Sequence, residues 1–438
     1  MRIAIAGFGL EGKSNLAYFS KRFPEAEITI FDERESLDEP LGNVKKVLGK
    51  DAFSKVKDFD LVVRTAGLPL QKISQTKNIT SSTKEFFNRC PAPIIGVTGS
   101  KGKGTTCGFI ASILRQYFAS NSERKLHLVG NIGTPALEVL PSISRQDFVV
   151  YELSSFQLWD LNKSPQIAVM TLIEPDHLDV HTSFAEYVNA KLNIFRYQAP
   201  TDKAVFNDQD ETVKKLVQPI IAETGAEIKP FMNNKFIHIQ QGYFYHGEQR
   251  ICPTGVVKLL GQHNLQNAAA AISAVWDIID SDKVAIEKGL ASFTGLPHRL
   301  QFVGEVQGVK YYDDSIATTP GSVIAAMKSF SQPKILIVGG HDKGGDYHEL
   351  GKLAENHAVK LVLAIGSNGK KVKQQIEQSS AVKVELLTAK QMSEIVSKAS
   401  EFACSGDVVI LSPAAASFDM FESYSDRGEQ FTNAVRAL

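Results

Sequence analysis

Over residues 1–91, short apolar runs at 3–6, 28–31 and 61–63 are separated by polar or helix-like stretches. This alternation predicts a small parallel sheet with helices packed on it. Cys90-Pro91-Ala92-Pro93 follows, and its prolines, which break helix and sheet alike, mark a linker. A second apolar series opens with a strand at 94–98, continues through a glycine-lysine loop into a helix predicted over 105–117, and adds strands at 148–151 and 167–170. Their continuous apolar character suits a central sheet covered on both faces. Residues 236–251 instead alternate aromatic and polar positions around Gly242 and Gly247, the pattern of peripheral antiparallel strands. After Phe293-Thr294-Gly295-Leu296-Pro297, strands at 334–338, 359–365, 382–386 and 408–411 alternate with helical patterns, which predicts another doubly wound sheet. The fold class is therefore α/β, with three domains expected.

Composition sharpens this only in places. A chain of 438 residues with 43% hydrophobic and 22% charged positions can build several proper cores. Its 48 basic and 48 acidic residues cancel, which removes the electrostatic footprint of a general nucleic-acid binder, so an anionic ligand must be met locally. Cys90, Cys107, Cys252 and Cys404 have no CxxC spacing, so neither a disulfide framework nor a zinc site is indicated. The apolar start meets Glu11 and Lys13 before it forms a signal-peptide core, and no run approaches the roughly 20 apolar residues of a membrane span. A cytoplasmic protein without a membrane partner is expected.

The densest chemistry lies in Gly99-Ser100-Lys101-Gly102-Lys103-Gly104-Thr105-Thr106, between a strand and a helix. Backbone N–H groups at a helix start, glycines that permit close approach and a mobile cation together suit the triphosphate of ATP. Lys103 would reach the terminal phosphates. Gly104 stands where a hydroxyl usually binds magnesium, so that duty falls to Thr105 or Thr106, with Thr105 preferred. Gly7-Phe8-Gly9-Leu10-Glu11-Gly12 is a literal GxGxxG after a strand, with Asp32 at the end of the next one. That is the dinucleotide fingerprint, yet a glycine turn at a helix start binds any diphosphate, including that of a UDP-sugar. Glu152 follows a buried strand, where α/β sheets place a carboxylate beside phosphate-bound magnesium; a structural carboxylate is the alternative. His177 lies among Glu174, Asp176 and Asp179, a candidate second cation site or a satisfied loop histidine. Lys191 reads as an ordinary lysine on an amphipathic helix, and the amides of Gly261-Gln262-His263-Asn264-Leu265-Gln266-Asn267 read as base contacts or a helix cap.

These segments, with Gly130-Asn131-Ile132-Gly133-Thr134-Pro135-Ala136, Glu152-Leu153-Ser154-Ser155-Phe156-Gln157-Leu158, Gly295-Leu296-Pro297-His298-Arg299 and Leu411-Ser412-Pro413-Ala414-Ala415-Ala416-Ser417-Phe418-Asp419, resemble in order the Mur ligases, which build the peptide of bacterial cell-wall precursors. The likeness extends over nearly the whole chain. It implies an N-terminal Rossmann-like UDP-binding domain over 1–91, a central P-loop-type ATPase domain over 92–297 and a C-terminal Rossmann-like amino-acid domain over 298–438. The motifs are most similar to those of the member that adds D-glutamate to UDP-N-acetylmuramoyl-L-alanine with ATP and Mg2+. Lys103, Glu152, His177 and Lys191 then become catalytic, Thr105, Glu152, His177 and a carbamylated Lys191 the metal set. Asn267, Arg299 and Asp314 join the loop around ATP. Leu10, Glu11, Asp32 and Arg34 fall in the uridine turns, Asn131 and Gln157 meet the sugar-peptide part, and Thr318, Lys343, Ser417 and Phe418 surround glutamate. A monomer is expected.

The sequence departs from the family at three places. Gly102-Lys103-Gly104-Thr105 is closer to the loop of folylpolyglutamate synthase, a related ligase, although the N-terminal glycine-rich domain argues against that reading. Ile316 stands where the family usually has a lysine, and Arg64-Thr65-Ala66-Gly67 replaces the more typical serine-proline-glycine turn. A nicotinamide-dependent oxidoreductase resting on GxGxxG and Asp32, and a ligase for L-glutamate or another amino acid, are the competing readings. A UDP-sugar-binding regulator without turnover is a further one.

Overall fold

The computed structural model describes residues 1–37, 44–121, 123–130, 135–178, 180–259, 261–342 and 344–438. Two compact units form, one from Met1–Lys258 with Gln262–Phe293, the other from Leu259–Gly261 with Thr294–Leu438.

The first unit contains two parallel sheets. In the first, strands Lys45–Leu48, Glu27–Asp32, Arg2–Ala6, Leu61–Arg64 and Ile79–Ser81 lie side by side in that order. Arg2–Ala6 is the middle strand, so the glycine turn after it opens at the point where the winding direction reverses, the usual ligand crevice of such sheets. The two edge strands escape the apolar pattern because an edge need not be hydrophobic on both faces. The second sheet runs Glu227–Ile228, Lys203–Phe206, Ile167–Met170, Ile94–Thr98, Phe148–Glu152, Leu126–Gly130. Ile94–Thr98 is buried at every position, as its unbroken apolar run predicts.

Helix Lys103–Asn121 starts two residues earlier than its apolar periodicity suggests and packs on helices Gln262–Val275 and Lys283–Ser292. Small residues set this approach: Ala268, Ala269, Ala270 and Ala271 are fully buried, and a Cβ on Gly289 would lie 2.5 Å from the Ile113 Cα. Because the alanine-rich helix already begins at Gln262, the amides of Asn264 and Asn267 sit inside it and not ahead of it, so they are not its cap. Strands Ile237–Gln240, Tyr243–His246 and Gln249–Pro253 form the expected antiparallel sheet.

The second unit holds one six-stranded sheet in the order Gln301–Val306, Val309–Asp313, Val408–Leu411, Lys334–Gly339, Val359–Ile365, Lys383–Leu386, parallel except for the first pair. That first pair is a hairpin absent from the sequence reading. Its turn residues Gln307 and Gly308 both have positive φ, 50° and 79°, as the tight turns of twisted hairpins require. Among the described residues no helix is long and apolar enough to cross a membrane.

Gly289→Ala should destabilise the first unit by about 1–3 kcal/mol, because the added methyl meets backbone that cannot yield. Urea unfolding measures this, and a loss within experimental error would contradict the packing described.

Candidate active site

The glycine-lysine loop leaves the middle of the six-stranded sheet, between the ends of Phe148–Glu152 and Ile167–Met170. Gly99 takes φ +149°, and a Cβ there would lie 2.0 Å from Thr171 Oγ1, so only glycine fits. The next residue is pinned from three sides. Ser100 N donates to Leu172 O at 2.6 Å, its hydroxyl donates to Glu174 O at 2.8 Å and lies 2.7 Å from the Tyr187 hydroxyl. Lys101 pairs with Glu174 at 2.8 Å. The loop is thus held open around the Gly99 carbonyl, which accepts from Lys103 Nζ at 2.9 Å and from Lys191 Nζ at 2.8 Å.

Lys191 reaches this point from helix Phe184–Arg196, whose start is capped by Ser183 accepting from Glu186 N at 3.1 Å. One turn earlier on the same face Tyr187 lies under it, with the ammonium 4.7 Å above the ring. Lys191 is 2% exposed, and burial, reinforced by the charge of Lys103, drives its amine well below the usual lysine range against the opposing pull of Asp176 and Glu152. Glu152 is buried at a strand end in register with Val97, two residues before Gly99. In the first turn of the loop's helix, Thr105 is buried, and the wholly buried Thr106 hydroxyl has no hydrogen-bond partner among the described residues. Asn267 faces the loop from the alanine-rich helix, its Oδ1 filling the space of a Gly102 Cβ at 2.4 Å. His177 stands apart in character: half its side chain is exposed, φ is +52°, and its ring meets Phe156 edge-on at 5.0 Å. Of its three neighbouring carboxylates, Glu174 is engaged by Lys101, Asp176 lies 3.6 Å from the ring, and Asp179 is outside the described residues. Among the described residues no three His, Cys, Asp or Glu side chains gather to hold a metal ion by themselves.

On the other sheet of this unit the GxGxxG turn is internally satisfied. Gly7 has φ +93° and would place a Cβ 2.2 Å from Thr65 Oγ1. Asp32 accepts from Phe8 N at 2.7 Å and from Arg34 Nε at 2.8 Å; burial would raise its carboxyl, but these bonds outweigh it and hold the pKa low. Its oxygens are therefore committed to the turn itself, where a nicotinamide ribose would need them. Leu10 is 73% exposed at the helix start, a flat apolar surface at the mouth of the turn. Glu11 accepts from Ala66 N at 2.7 Å and from the Ser82 hydroxyl. Gln157 closes a capping box with Ser154, so its Oε1 is engaged by Ser154 N at 2.9 Å. Asn131 lies outside the described residues.

In the second unit a buried polar network fixes the segment 313–318. Asp313 accepts from Ser315 N at 2.9 Å and lies 2.7 Å from His298 Nδ1. Fully buried Arg427 donates to Ser315 O at 2.7 Å and to the carbonyls of Ala415 and Ala416, each at 3.2 Å, and burial lowers its pKa to about 10. Asp314 accepts from the Ser412 hydroxyl at 2.7 Å and from Leu300 N at 3.1 Å, but burial dominates and pushes its carboxyl up to about 7. Thr318 is half-buried, Ser417 buried and Phe418 71% exposed, while Arg299 is exposed and Lys343 lies outside the described residues.

Comparison with known proteins gives this geometry a family. The chain matches the Mur ligase middle domain over residues 97–275 and the Mur ligase, glutamate ligase domain over 298–415. It is 34% identical over 456 residues to the UDP-N-acetylmuramoylalanine–D-glutamate ligase of Clostridium acetobutylicum, spanning 100% of this chain and 96% of that one. The chain belongs to the Mur ligase family. Its fold is similar to that of the UDP-N-acetylmuramate-alanine ligase of Thermotoga maritima, with a TM-score of 0.60 at 17% identity over 100% of this chain and 99% of that one. It is also similar to the folylpolyglutamate synthase of Mycobacterium tuberculosis solved with ADP and AMPPCP, with a TM-score of 0.57 at 14% identity over 84% and 93%.

Within this Mur ligase the structure brings together Lys103 and the loop hydroxyls, Glu152, Lys191 and Asn267, residues drawn from four separate stretches of sequence. Sequence reasoning missed Arg427, whose position in an amphipathic helix gives no sign of burial, and His181. That imidazole is buried, stacked on Phe156 at 5.2 Å and 3.0 Å from Ser155 Oγ. Its spacing of four from His177 was the available signal.

Asp314 carries a pH signature. Its carboxyl titrates near 3.8 when unfolded and near 7 when folded, so the folded state holds the extra proton between those values and stability falls as pH rises through that window. The loss is on the order of 4 kcal/mol when complete. Unfolding of Asp314→Asn from pH 4 to 8 should show this slope removed; an unchanged slope assigns it elsewhere.

Proposed function

We propose that this Mur ligase joins D-glutamate to UDP-N-acetylmuramoyl-L-alanine at the expense of ATP, in the cytoplasm, as a monomer. The observation that carries the chemistry is the meeting of two lysine amines on the Gly99 carbonyl within electrostatic reach of Glu152. The full-length likeness to a D-glutamate ligase supports the substrates.

A carboxylate resists amines because oxide is a poor leaving group, and phosphorylation replaces it with a good one. The substrate carboxylate oxygen attacks the γ-phosphorus of ATP, the bond to the β-bridging oxygen breaks, and ADP leaves. The glutamate amine then attacks the acyl phosphate carbonyl; the C–N bond forms, the C–O bond to phosphate breaks, and phosphate leaves with the proton that the nitrogen gives up. Lys103 moves from the Gly99 carbonyl to the transferred phosphoryl group and offsets its charge. Gly99 to Thr106 cradles the phosphates with backbone N–H groups, and Asn267 meets the nucleotide from the adjoining helix. Leu10, Glu11, Asp32 and Arg34 shape the uridine turn, with Asn131 and Gln157 toward the sugar and peptide. Arg299 and Asp314 are assigned to the nucleotide by the family likeness, and Thr318, Lys343, Ser417 and Phe418 to glutamate.

The donors fit magnesium: hydroxyls at Thr105 and Thr106, the latter without a partner among the described residues, and a carboxylate at Glu152 are hard oxygen ligands. With His177 they would hold it only together with ligand phosphates, and Mg2+ bound there would neutralise the triphosphate charge. Lys191, kept toward its neutral amine by burial and Lys103, is suited to add carbon dioxide, releasing a proton and becoming a carbamate. The second reading, a folylpolyglutamate-synthase-like ligase, is favoured by the loop Gly102-Lys103-Gly104-Thr105.

With ATP, magnesium and UDP-N-acetylmuramoyl-L-alanine, phosphate release should depend on D-glutamate. Release with L-glutamate alone would change the amino acid, and no release with any amino acid would end the proposal. Lys191→Ala should lower kcat by about a hundredfold or more, with partial recovery on adding short carboxylic acids. Full activity without them excludes the carbamate role.

A further inference from the structure

Arg64 ends the strand Leu61–Arg64 and is fully buried. A buried guanidinium persists only where its charge finds partners, and here both terminal nitrogens do, while Nε has none among the described residues. One of its NH groups donates to the carbonyls of Thr65, Ala66 and Leu68 at 3.4, 3.3 and 3.1 Å, tying the turn that follows the strand. The other crosses to a segment 92 residues away, donating to Phe156 O at 2.8 Å and to Asp160 Oδ1 at 2.6 Å. These two acceptors flank Gln157 on the short helix Ser155–Leu158, which follows directly on the strand that ends at Glu152.

The same turn is tied to the glycine turn of the first sheet. Glu11 accepts from Ala66 N, a donor that a proline in this place, as in the more typical turn, could not supply. On its far side the Ser155–Leu158 helix is backed by His181, which stacks on Phe156 and meets the Ser155 hydroxyl. A continuous chain of polar contacts therefore runs from the glycine turn through Ala66 and Arg64 to a segment three residues past Glu152.

We propose that Arg64 is a positioning residue for the UDP-linked substrate. It holds the turn at 64–68, and with it the glycine turn, in register with residues 155–160, so that a ligand anchored by its nucleotide delivers its carboxylate to the phosphate loop. The inference rests on the substrate assignment above. Register matters because a misplacement of about 1 Å in a reacting group costs on the order of a hundredfold in rate. A purely structural tie would lower stability and leave untouched the preference for the whole substrate over its nucleotide end.

That preference is the readout. Calorimetry on full-length Arg64→Gln, Arg64→Lys and Asp160→Asn gives the affinity of each for UDP and for UDP-N-acetylmuramoyl-L-alanine, alongside thermal unfolding and steady-state kinetics. In Arg64→Gln the ratio of the two affinities should fall between about ten- and a hundredfold, with KM for the UDP-linked substrate raised and KM for ATP unchanged. Arg64→Lys should recover part of the ratio, since its one ammonium can meet Phe156 O and Asp160 as a single guanidinium nitrogen does, but cannot also hold the carbonyls of Thr65, Ala66 and Leu68. Asp160→Asn should lose about threefold, as a neutral acceptor replaces a charged one. An unchanged ratio in a folded variant overturns the positioning role; where Arg64→Gln does not fold, the other two variants decide. A parent protein with no preference for the whole substrate over UDP overturns the substrate assignment and this proposal together, which a preference retained in the variants does not.

Discussion

The carbonyl of Gly99 is the point on which the central site turns. Its peptide can face inward only because the residue has no side chain to strike Thr171, and that orientation draws two lysine amines to one oxygen. Two cations so close repel, and the cost falls on the more buried one, Lys191, whose proton is held weakly. The arrangement is tolerable because a carbonyl dipole and the Tyr187 ring face the charge, with Glu152 and Asp176 within reach. Anionic oxygens brought to the loop would relieve the same repulsion, so the proposed phosphate role and the weakly held Lys191 proton have one origin.

Much of this was legible in the sequence for a simple reason: strands buried on both faces must be apolar throughout. Ile94–Thr98, Ile167–Met170 and Val359–Ile365 announce themselves, and loops at their ends are where α/β sheets carry chemistry. Lys45–Leu48 and Gln301–Val306 do not, because edge strands with a solvent face carry lysines and glutamates, and Val309–Asp313 beside the second breaks its apolar run with Lys310 and Asp313. The burial of Arg64 and Arg427 is equally unreadable. An arginine reads as surface by default, and what buries it is a set of backbone carbonyls that only the folded chain gathers. Lys191 has the same difficulty, since its spacing alone marks a helix face without saying what the face meets.

The two glycine-rich turns of the first unit are spent differently. The glycine-lysine loop keeps Lys103 and Lys191 in contact with one carbonyl. The GxGxxG turn instead consumes its charged groups internally: Asp32 is held by Phe8 N and Arg34, and Glu11 by Ala66 N and Ser82. A fingerprint associated with nicotinamide nucleotides thus survives as backbone geometry, while the acidic residue that would read a ribose acts as a brace.

The hydrogen bond from Ala66 N to Glu11 also bears on how such a turn changes over descent. A proline at 66 would leave the carboxylate facing a turn with no donor, and a neutral residue at 11 would leave a half-buried N–H without its acceptor. Each of these two changes alone is therefore penalised, so the two positions are coupled. Lineages carrying this pair should exchange both together or neither, and grafting one turn between relatives without its counterpart transplants a mismatch.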